Sequence, residues 1–214
     1  MFCCSRSLAL LTVGGLFAAV LAAAAAPASQ TSSTSPKPAA SPAAPADEFE
    51  IDPVHSSVIY KVRHMGVSNF YGTFKEIGGQ ISMDAKDPTK SSVTFTIQAA
   101  SIDSRNPKRD QDLSGPDFFS VKEFPTIEFK STSVKPAGKD GYDVTGKFTM
   151  HGVTKDLTLK VQQVGTAEGQ HGKIAGYETH TTLKRSDYGM DAGVANGMIG
   201  DEVEVTVSVE VHAE

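Results

Sequence analysis

Cysteine is almost missing from this chain. Of its 214 residues only Cys3 and Cys4 carry a thiol, and both precede an apolar run over residues 8–26. A short cationic start, an apolar run and small residues at its end are typical of a secretory signal peptide. We therefore expect residues 1–26 to be removed, with cleavage as late as residue 28, which leaves no disulfide and no thiolate metal site. The alternative is a retained membrane anchor, since the run approaches the roughly 18–20 apolar residues that cross a bilayer.

Acidic residues are missing before Asp47. Residues 27–46 are proline, alanine, serine and threonine with one glutamine and one lysine, so we expect a disordered linker with nothing to bury. Residues 47–214 have the length of one domain and contain all 25 acidic residues. Because Arg6 and Lys37 lie outside it, the domain holds 18 of the 20 basic residues and a net charge of −7. This balance argues against nucleic acid or anionic lipid as a partner.

The motifs of several enzyme classes are missing as well. The sequence has no G-x-S-x-G, no H-E-x-x-H, no glycine-rich phosphate loop and no C-x-x-C. We expect no cofactor and no metal site, because the six histidines form no pair at ligand spacing, although a sheet can bring distant histidines together. The histidines are His55, His64, His151, His171, His180 and His212.

What the chain does have is alternation of polar and apolar residues. Five valines at every second position from Val203 to Val211 alternate with glutamate, threonine and serine. Such a period of two predicts a half-buried antiparallel strand. Similar runs divided by turn residues predict about eight strands, and long ones such as residues 173–186 favour a closed all-β barrel over a sandwich. A barrel of eight strands is either filled by side chains or holds one small ligand, and the period leaves both open.

The segment Arg109–Ser131 departs from this pattern. Asn106 can cap a short helix that Pro107 starts, and this helix carries Arg109 next to a carboxylate. Phe118 and the phenylalanine after it cannot both face one side of a strand, so we expect a turn or an apolar plug at the mouth of the barrel. The alternatives are a solvated surface pair for the charges and ordinary core packing for the phenylalanines.

Several short blocks follow one another in a fixed order over residues 49–211. The blocks are Asp52–Ser56, His64–Ser68, Gly72–Phe74, Arg109-Asp110 with Leu113, Asp117–Phe119, Phe124-Pro125 with Phe129 and Ser131, Gly146–Lys155, Arg185–Gly189 and Gly200–Val203. Together they make this part of the chain resemble the YceI family of periplasmic polyisoprenoid-binding proteins. Two residues depart from the family's pattern, Lys147 in place of an acid and Tyr188 in place of phenylalanine.

The resemblance implies a lipocalin-like antiparallel barrel that holds a long apolar chain, in the periplasm or outside the cell. It implies an interior lined by aromatic residues and a polar fringe that selects the head group of the ligand. The expected ligand-binding residues are His64, Phe74, Phe95, Arg109, Asp110, Phe118, Phe119, Phe129, Phe148 and Tyr188.

We therefore expect non-enzymatic binding, transport or storage of a polyisoprenoid or similar amphiphile, by a monomer or a homodimer. One alternative is an enzyme that acts on such a lipid with His64 or His55 as acid or base. The other is a filled barrel that serves as a scaffold for a protein partner.

Overall fold

The computed structural model describes residues 46–170 and 172–213. The predicted signal peptide and residues 27–45 of the predicted linker lie outside the described residues. The described chain has ten strands, one α-helix and three 3₁₀ turns, at Pro88–Lys90, Ala99–Ser101 and Arg185–Tyr188. The elements are β1 Asp47–His64, β2 Ser68–Phe74, β3 Ile77–Met83, β4 Ser92–Gln98, β5 Ile102–Asp103, α1 Pro107–Leu113, β6 Thr126–Pro136, β7 Gly141–Met150, β8 Val153–Gly169, β9 Gly172–Lys184 and β10 Ile199–Ala213.

The strands form one antiparallel sheet that closes on itself. Its order is β10-β9-β8-β7-β6-β4-β3-β1-β2-β5, and an additional pairing of β10 with β1 closes the barrel. Strand β3 pairs with the first part of β1, and β2 pairs with the last part of β1. Strands β2 and β3 therefore occupy one strand position around the barrel. Because β5 is a two-residue addition to β2, eight positions remain around the barrel. The predicted all-β barrel of about eight strands is confirmed.

Strand β10 shows where the barrel is densely packed and where it is open. Val209 and Val211 at its C-terminal end are 9% and 0% exposed. Val203, Val205 and Val207 are only half-buried, although the same alternation directs all five inward. The barrel therefore has a packed end, around Phe49 and Val211, and an open end. The last residues of β1 and the whole of α1 lie at the open end.

Helix α1 lies at the open end and forms as the sequence predicts. The Asn106 side chain caps it by accepting the Arg109 N–H at 3.1 Å, and Pro107 occupies the first turn, where its missing N–H costs nothing. A turn follows in which the Phe119 N–H donates to the Leu113 carbonyl at 3.0 Å. Leu113 and Phe119 pack against the apolar cluster at that end of the barrel. In the part of the chain described, no helix is long and apolar enough to span a bilayer.

Candidate functional site

The barrel encloses an apolar cavity. It measures about 490 Å³ and is lined by the inner faces of the strands together with α1 and the turn that follows. This volume falls within the range of about 300–1,000 Å³ that small-molecule sites occupy. A second cavity of about 100 Å³ continues toward the packed end and shares Phe95, Phe129, Leu159, Thr179 and Val207 with the first. The interior of the barrel is therefore not filled by its own side chains.

The wall of the cavity consists of apolar side chains that the protein itself covers only in part. Phe95, Phe148 and Leu159 point inward yet are only half-buried. Apolar surface of this kind gains roughly 25 cal/mol for each Å² that a ligand removes from water. The polar side chain of Thr179, which lies where the two cavities meet, is already satisfied, because its hydroxyl donates to the Lys160 carbonyl at 2.8 Å. The chemistry of the wall suits a hydrocarbon chain.

Six predicted phenylalanines contribute to this wall. Phe119, in the turn after α1, meets the ring of Phe74 edge to face, with centroids 5.6 Å apart and an interplanar angle of 88°. Such geometry is favourable for aromatic pairs beyond the area that they bury. The turn thus lies against the cavity instead of continuing a strand, as the adjacent phenylalanines predicted. The six are Phe74, Phe95, Phe118, Phe119, Phe129 and Phe148.

Arg109 reaches the cavity from α1. Its guanidinium carbon lies 4.1 Å from the centroid of the Phe70 ring, a cation–π contact. Its Nε is buried and has no hydrogen-bond partner among the described residues. A buried donor without a partner costs about 1–3 kcal/mol. Arg109 therefore holds a buried donor without a partner, within the described chain, at the wall of the cavity.

Tyr60 supplies a second such donor, which the sequence analysis did not select. Its hydroxyl is buried without a partner among the described residues, and its side chain lines the same cavity. Burial, reinforced by the negative charge of Asp110, raises the pKa of Tyr60 to about 12, so the hydroxyl keeps its proton at neutral pH. Among the described residues, Tyr60 and Arg109 therefore each hold a buried donor without a partner beside the cavity.

Asp110 and Tyr188 differ from the expectation, because neither lines the cavity. Consecutive residues of a helix point about 100° apart, so Arg109 faces inward while Asp110 faces the preceding loop. There its carboxylate accepts the Ser104 N–H at 2.7 Å. Tyr188 is buried behind the wall and packs edge to face on Phe148 at 5.5 Å. Both residues support the site from outside it.

The two histidines considered as acid or base occupy separate places. His64, at the end of β1, is exposed at the rim of the cavity and makes no side-chain hydrogen bond within the described residues. His55 lies on the outer surface of the barrel, 2.7 Å from the Asp52 carboxylate. Within the described chain, the His64 side chain thus hydrogen-bonds to no acid or nucleophile, although Ser68 lies opposite it in β2.

Other residues of the site were missed by the sequence analysis. Phe70 lies under Arg109, and the alternation of Phe70, Gly72 and Phe74 in β2 was a signal that could have found it. Arg185 also lines the cavity, but it is buried and its guanidinium donates to four backbone carbonyls at 2.7–3.1 Å. Burial lowers the pKa of Arg185, whereas the negative charges of Asp201 in β10 and Asp191 in the loop act in the opposite sense. Arg185 therefore holds the loop before β10 in place and has little hydrogen-bonding capacity left for a ligand in the cavity.

A closed antiparallel barrel of eight strand positions around an apolar cavity defines a lipocalin-like binding protein. The chain belongs to the YceI-like domain family, whose profile matches residues 49–211. It is 38% identical over 170 residues to "Protein YceI" of Salmonella arizonae, a match that covers 78% of this chain and 87% of the relative. Both the predicted family and the predicted fold are confirmed.

Two solved structures share this architecture. The crystal structure of Burkholderia cenocepacia BcnA is 25% identical and covers 75% of this chain and 98% of its own, with a TM-score of 0.67. A polyisoprenoid binding domain from Saccharophagus degradans covers 78% of this chain and 98% of its own, with a TM-score of 0.60. At 16% identity the second likeness shows the fold alone.

Proposed function

We propose that this protein binds one amphiphile with a long apolar chain, of the polyisoprenoid type, inside the barrel and carries or stores it without changing it chemically. The observation that carries this proposal is the apolar cavity of about 490 Å³ with two unsatisfied donors at one end. The likeness to a polyisoprenoid binding domain supports the same class of ligand.

The apolar wall can supply most of the affinity. Each buried methylene contributes about 0.8 kcal/mol, so a five-carbon isoprene unit contributes about 4 kcal/mol before costs. Four such units approach the practical ceiling of about 18–21 kcal/mol. Polar contacts therefore add to an affinity that the hydrocarbon chain already supplies, and they orient the ligand and favour one that carries an oxygen.

The position of the donors gives the ligand a direction. Arg109 and Tyr60 lie at the open end, and the smaller cavity extends from the same space toward the packed end. A hydroxyl or phosphate oxygen at the end of the ligand would satisfy both donors, and the hydrocarbon chain would follow the cavity inward. In this arrangement the head group stays near the rim, close to His64.

Identification of bound lipid tests the proposal. The full chain, purified under non-denaturing conditions, should release an isoprenoid-type amphiphile that extraction and mass spectrometry detect. Val207 lines both cavities, so Val207→Phe should fill the passage between them and weaken retention by about tenfold, the equivalent of 1.4 kcal/mol. Ile59→Phe, at an exposed position on the outer face, is the matched control and should retain the lipid. Equal retention by both variants, or a protein that neither carries nor takes up isoprenoid, contradicts the proposal.

The same preparation tests where the protein acts. A binding protein of the periplasm or the extracellular space must lose its signal peptide, so the mature chain should begin at residue 27 or 29. Cell fractionation followed by mass spectrometry of the intact protein measures this. An intact N terminus in the membrane fraction would instead show that the apolar run is retained as an anchor.

A further inference from the structure

The pairing of β1 with β10 gathers two imidazoles and two carboxylates on the outer surface of the barrel. We call this group the seam cluster, because β1 and β10 are the strands whose pairing closes the barrel. Asp52 and Glu210 lie directly opposite each other in this pairing. From the sequence alone no metal site is expected, because no two histidines lie at ligand spacing. The members of the seam cluster are Asp52, His55, Glu210 and His212.

A bulge in β1 brings His55 into the cluster. The register of the two strands breaks between Asp52 and Ser57, so residues 53–56 of β1 lie opposite Val209 alone. Bulges re-aim side chains and are frequent beside functional sites. Here the Asp52 Oδ1 accepts the Val54 N–H at 2.7 Å, which turns the chain so that His55 folds back over the carboxylate.

The distances between the donor atoms come near those around a tetrahedral ion. Ligand atoms of Asp52, Glu210 and His212 all lie within 4.8 Å of one another, with His212 Nε2 at 3.4 Å and 2.9 Å from the two carboxylate oxygens. His55 Nδ1 lies 2.7 Å from Asp52 Oδ2 and 3.8 Å from Glu210 Oε1 but is not part of this group of three. Zinc bonds to nitrogen and oxygen of about 2.0–2.2 Å place the ligand atoms of a tetrahedron about 3.3–3.6 Å apart. Shifts of up to about 1 Å among the three, together with a rotation of the exposed His55 ring toward His212, would give four ligands.

The charges of the cluster also fit a divalent ion. Two carboxylates carry two negative charges, and among the described residues their ion-pair partners are imidazoles alone. With neutral imidazoles, a divalent cation would balance the cluster. Two imidazoles and two carboxylates suit zinc among the common metals, because imidazole is a poor ligand for Mg²⁺ and Ca²⁺.

The surroundings hold the ligands in place. The Asp52 Oδ1 is occupied by backbone N–H groups, so its Oδ2 is left for the ion. Ser56 accepts the Glu210 N–H at 3.0 Å and fixes the backbone of that ligand. Such outer contacts orient ligands and typically change metal affinity about 10–100-fold. The cluster remains open to solution, because the His55 side chain is 61% exposed.

We propose that the seam cluster binds one zinc-type divalent ion. The ion would hold β1 and β10 together next to the bulge, where the ladder of backbone hydrogen bonds is interrupted. Because all four ligands come from the protein, the site is structural and leaves no open position for chemistry. It lies on the outside of the barrel and is separate from the proposed lipid cavity.

Titration of the metal-free chain with Zn²⁺, followed by calorimetry, tests this site. Every protein in the comparison carries Cys3→Ser and Cys4→Ser and no histidine tag, so that no other strong ligand competes. We expect one Zn²⁺ per chain, and a loss of affinity of more than about tenfold for His55→Ala and for His212→Ala. The matched control is His180→Ala, because His180 Nε2 lies 2.9 Å from the Glu178 carboxylate but pairs with no second imidazole in the part of the chain that the structure describes. That variant should bind Zn²⁺ as the parent does.

A spectrum of the parent chain makes the test independent of how the variants fold. Bound Co²⁺ should give the intense visible absorption of a tetrahedral site, and Zn²⁺ should displace it. Weak octahedral absorption overturns the proposal, and so does a parent chain that binds no Zn²⁺. Unchanged affinity in the His55→Ala/His212→Ala double variant, or an equal loss in His180→Ala, overturns it as well.

Discussion

Arg109→Met tests the orientation of the ligand most directly. Methionine keeps an unbranched side chain at this position of α1 but removes the buried, unpartnered Nε donor. A hydrogen bond to a charged donor is worth about 1.5–3 kcal/mol, which is about 10- to 150-fold in the dissociation constant. We therefore expect geranylgeraniol to bind about 10- to 150-fold more weakly. The hydrocarbon of the same skeleton without oxygen should bind as before.

The stability of the ligand-free barrel should hardly change in this variant. The substitution removes a cation–π contact with Phe70 worth about 0.5–2 kcal/mol. It also removes the cost of about 1–3 kcal/mol of burying an N–H without a partner. These effects oppose each other, so the free energy of unfolding in urea should change by less than about 1 kcal/mol.

Displacement of a fluorescent fatty ligand gives both dissociation constants in one assay. Lys108→Met is the matched control, because Lys108 is the preceding residue of α1 and its side chain is 84% exposed. It should leave the binding of both ligands unchanged. An equal loss for the alcohol and the hydrocarbon in Arg109→Met would refute the reasoning, since Arg109 would then only pack against the ligand. Unchanged binding of the alcohol would refute it too.

Two further predictions concern the barrel itself. A Cβ on Gly72 would lie 2.2 Å from the Tyr60 hydroxyl oxygen, so Gly72→Ala should force that ring to move and destabilise the protein by about 1–3 kcal/mol in urea unfolding. Hydrogen bonds from the Ser186 N–H and hydroxyl lower the pKa of Asp201. The lowered value means that this carboxylate stabilises the folded state above its unfolded pKa of about 3.9, and that the contribution is lost as the pH falls through the folded pKa. The free energy of unfolding of Asp201→Asn should therefore fall below that of the parent at pH 7 and approach it in acid.

Each of these has its own control. Gly78→Ala adds the same methyl group in the neighbouring strand β3, where nothing lies within 4 Å, and should leave the stability nearly unchanged. Equal losses for the two glycine variants would contradict the role given to Tyr60. Asp156→Asn, at an exposed position paired with Lys147, controls for the loss of a surface charge. A difference between the parent and Asp201→Asn that is the same at every pH would contradict the linkage.

The local pattern was enough to predict much of the fold. The alternation of apolar and polar residues over Val203–Val211 depends only on the pleat of one strand. The face of that strand that points inward could therefore be predicted from the sequence. The cap at Asn106 and the proline after it likewise act within one turn, and α1 starts where they predict. Four aromatic residues of the wall, Phe74, Phe95, Phe129 and Phe148, lie in strands and follow the same period, whereas Phe118 and Phe119 reach the cavity from the turn after α1.

Only the tertiary structure decided what the pattern left open. Val203 and Val211 obey one alternation, yet one faces a cavity and the other is fully buried, because the space inside depends on the side chains of all the strands together. The rotation of α1 about its axis, relative to the barrel, turns Arg109 toward the cavity and Asp110 away from it. Two adjacent residues in a sequence do not show which of them faces inward. The seam cluster depends on the register between β1 and β10, across more than 150 residues of chain. The sequence by itself determined the faces, the caps and the family, since these depend on neighbouring residues. The cavity with its two unpartnered donors among the described residues, and the seam cluster, arise only when distant parts of the chain meet.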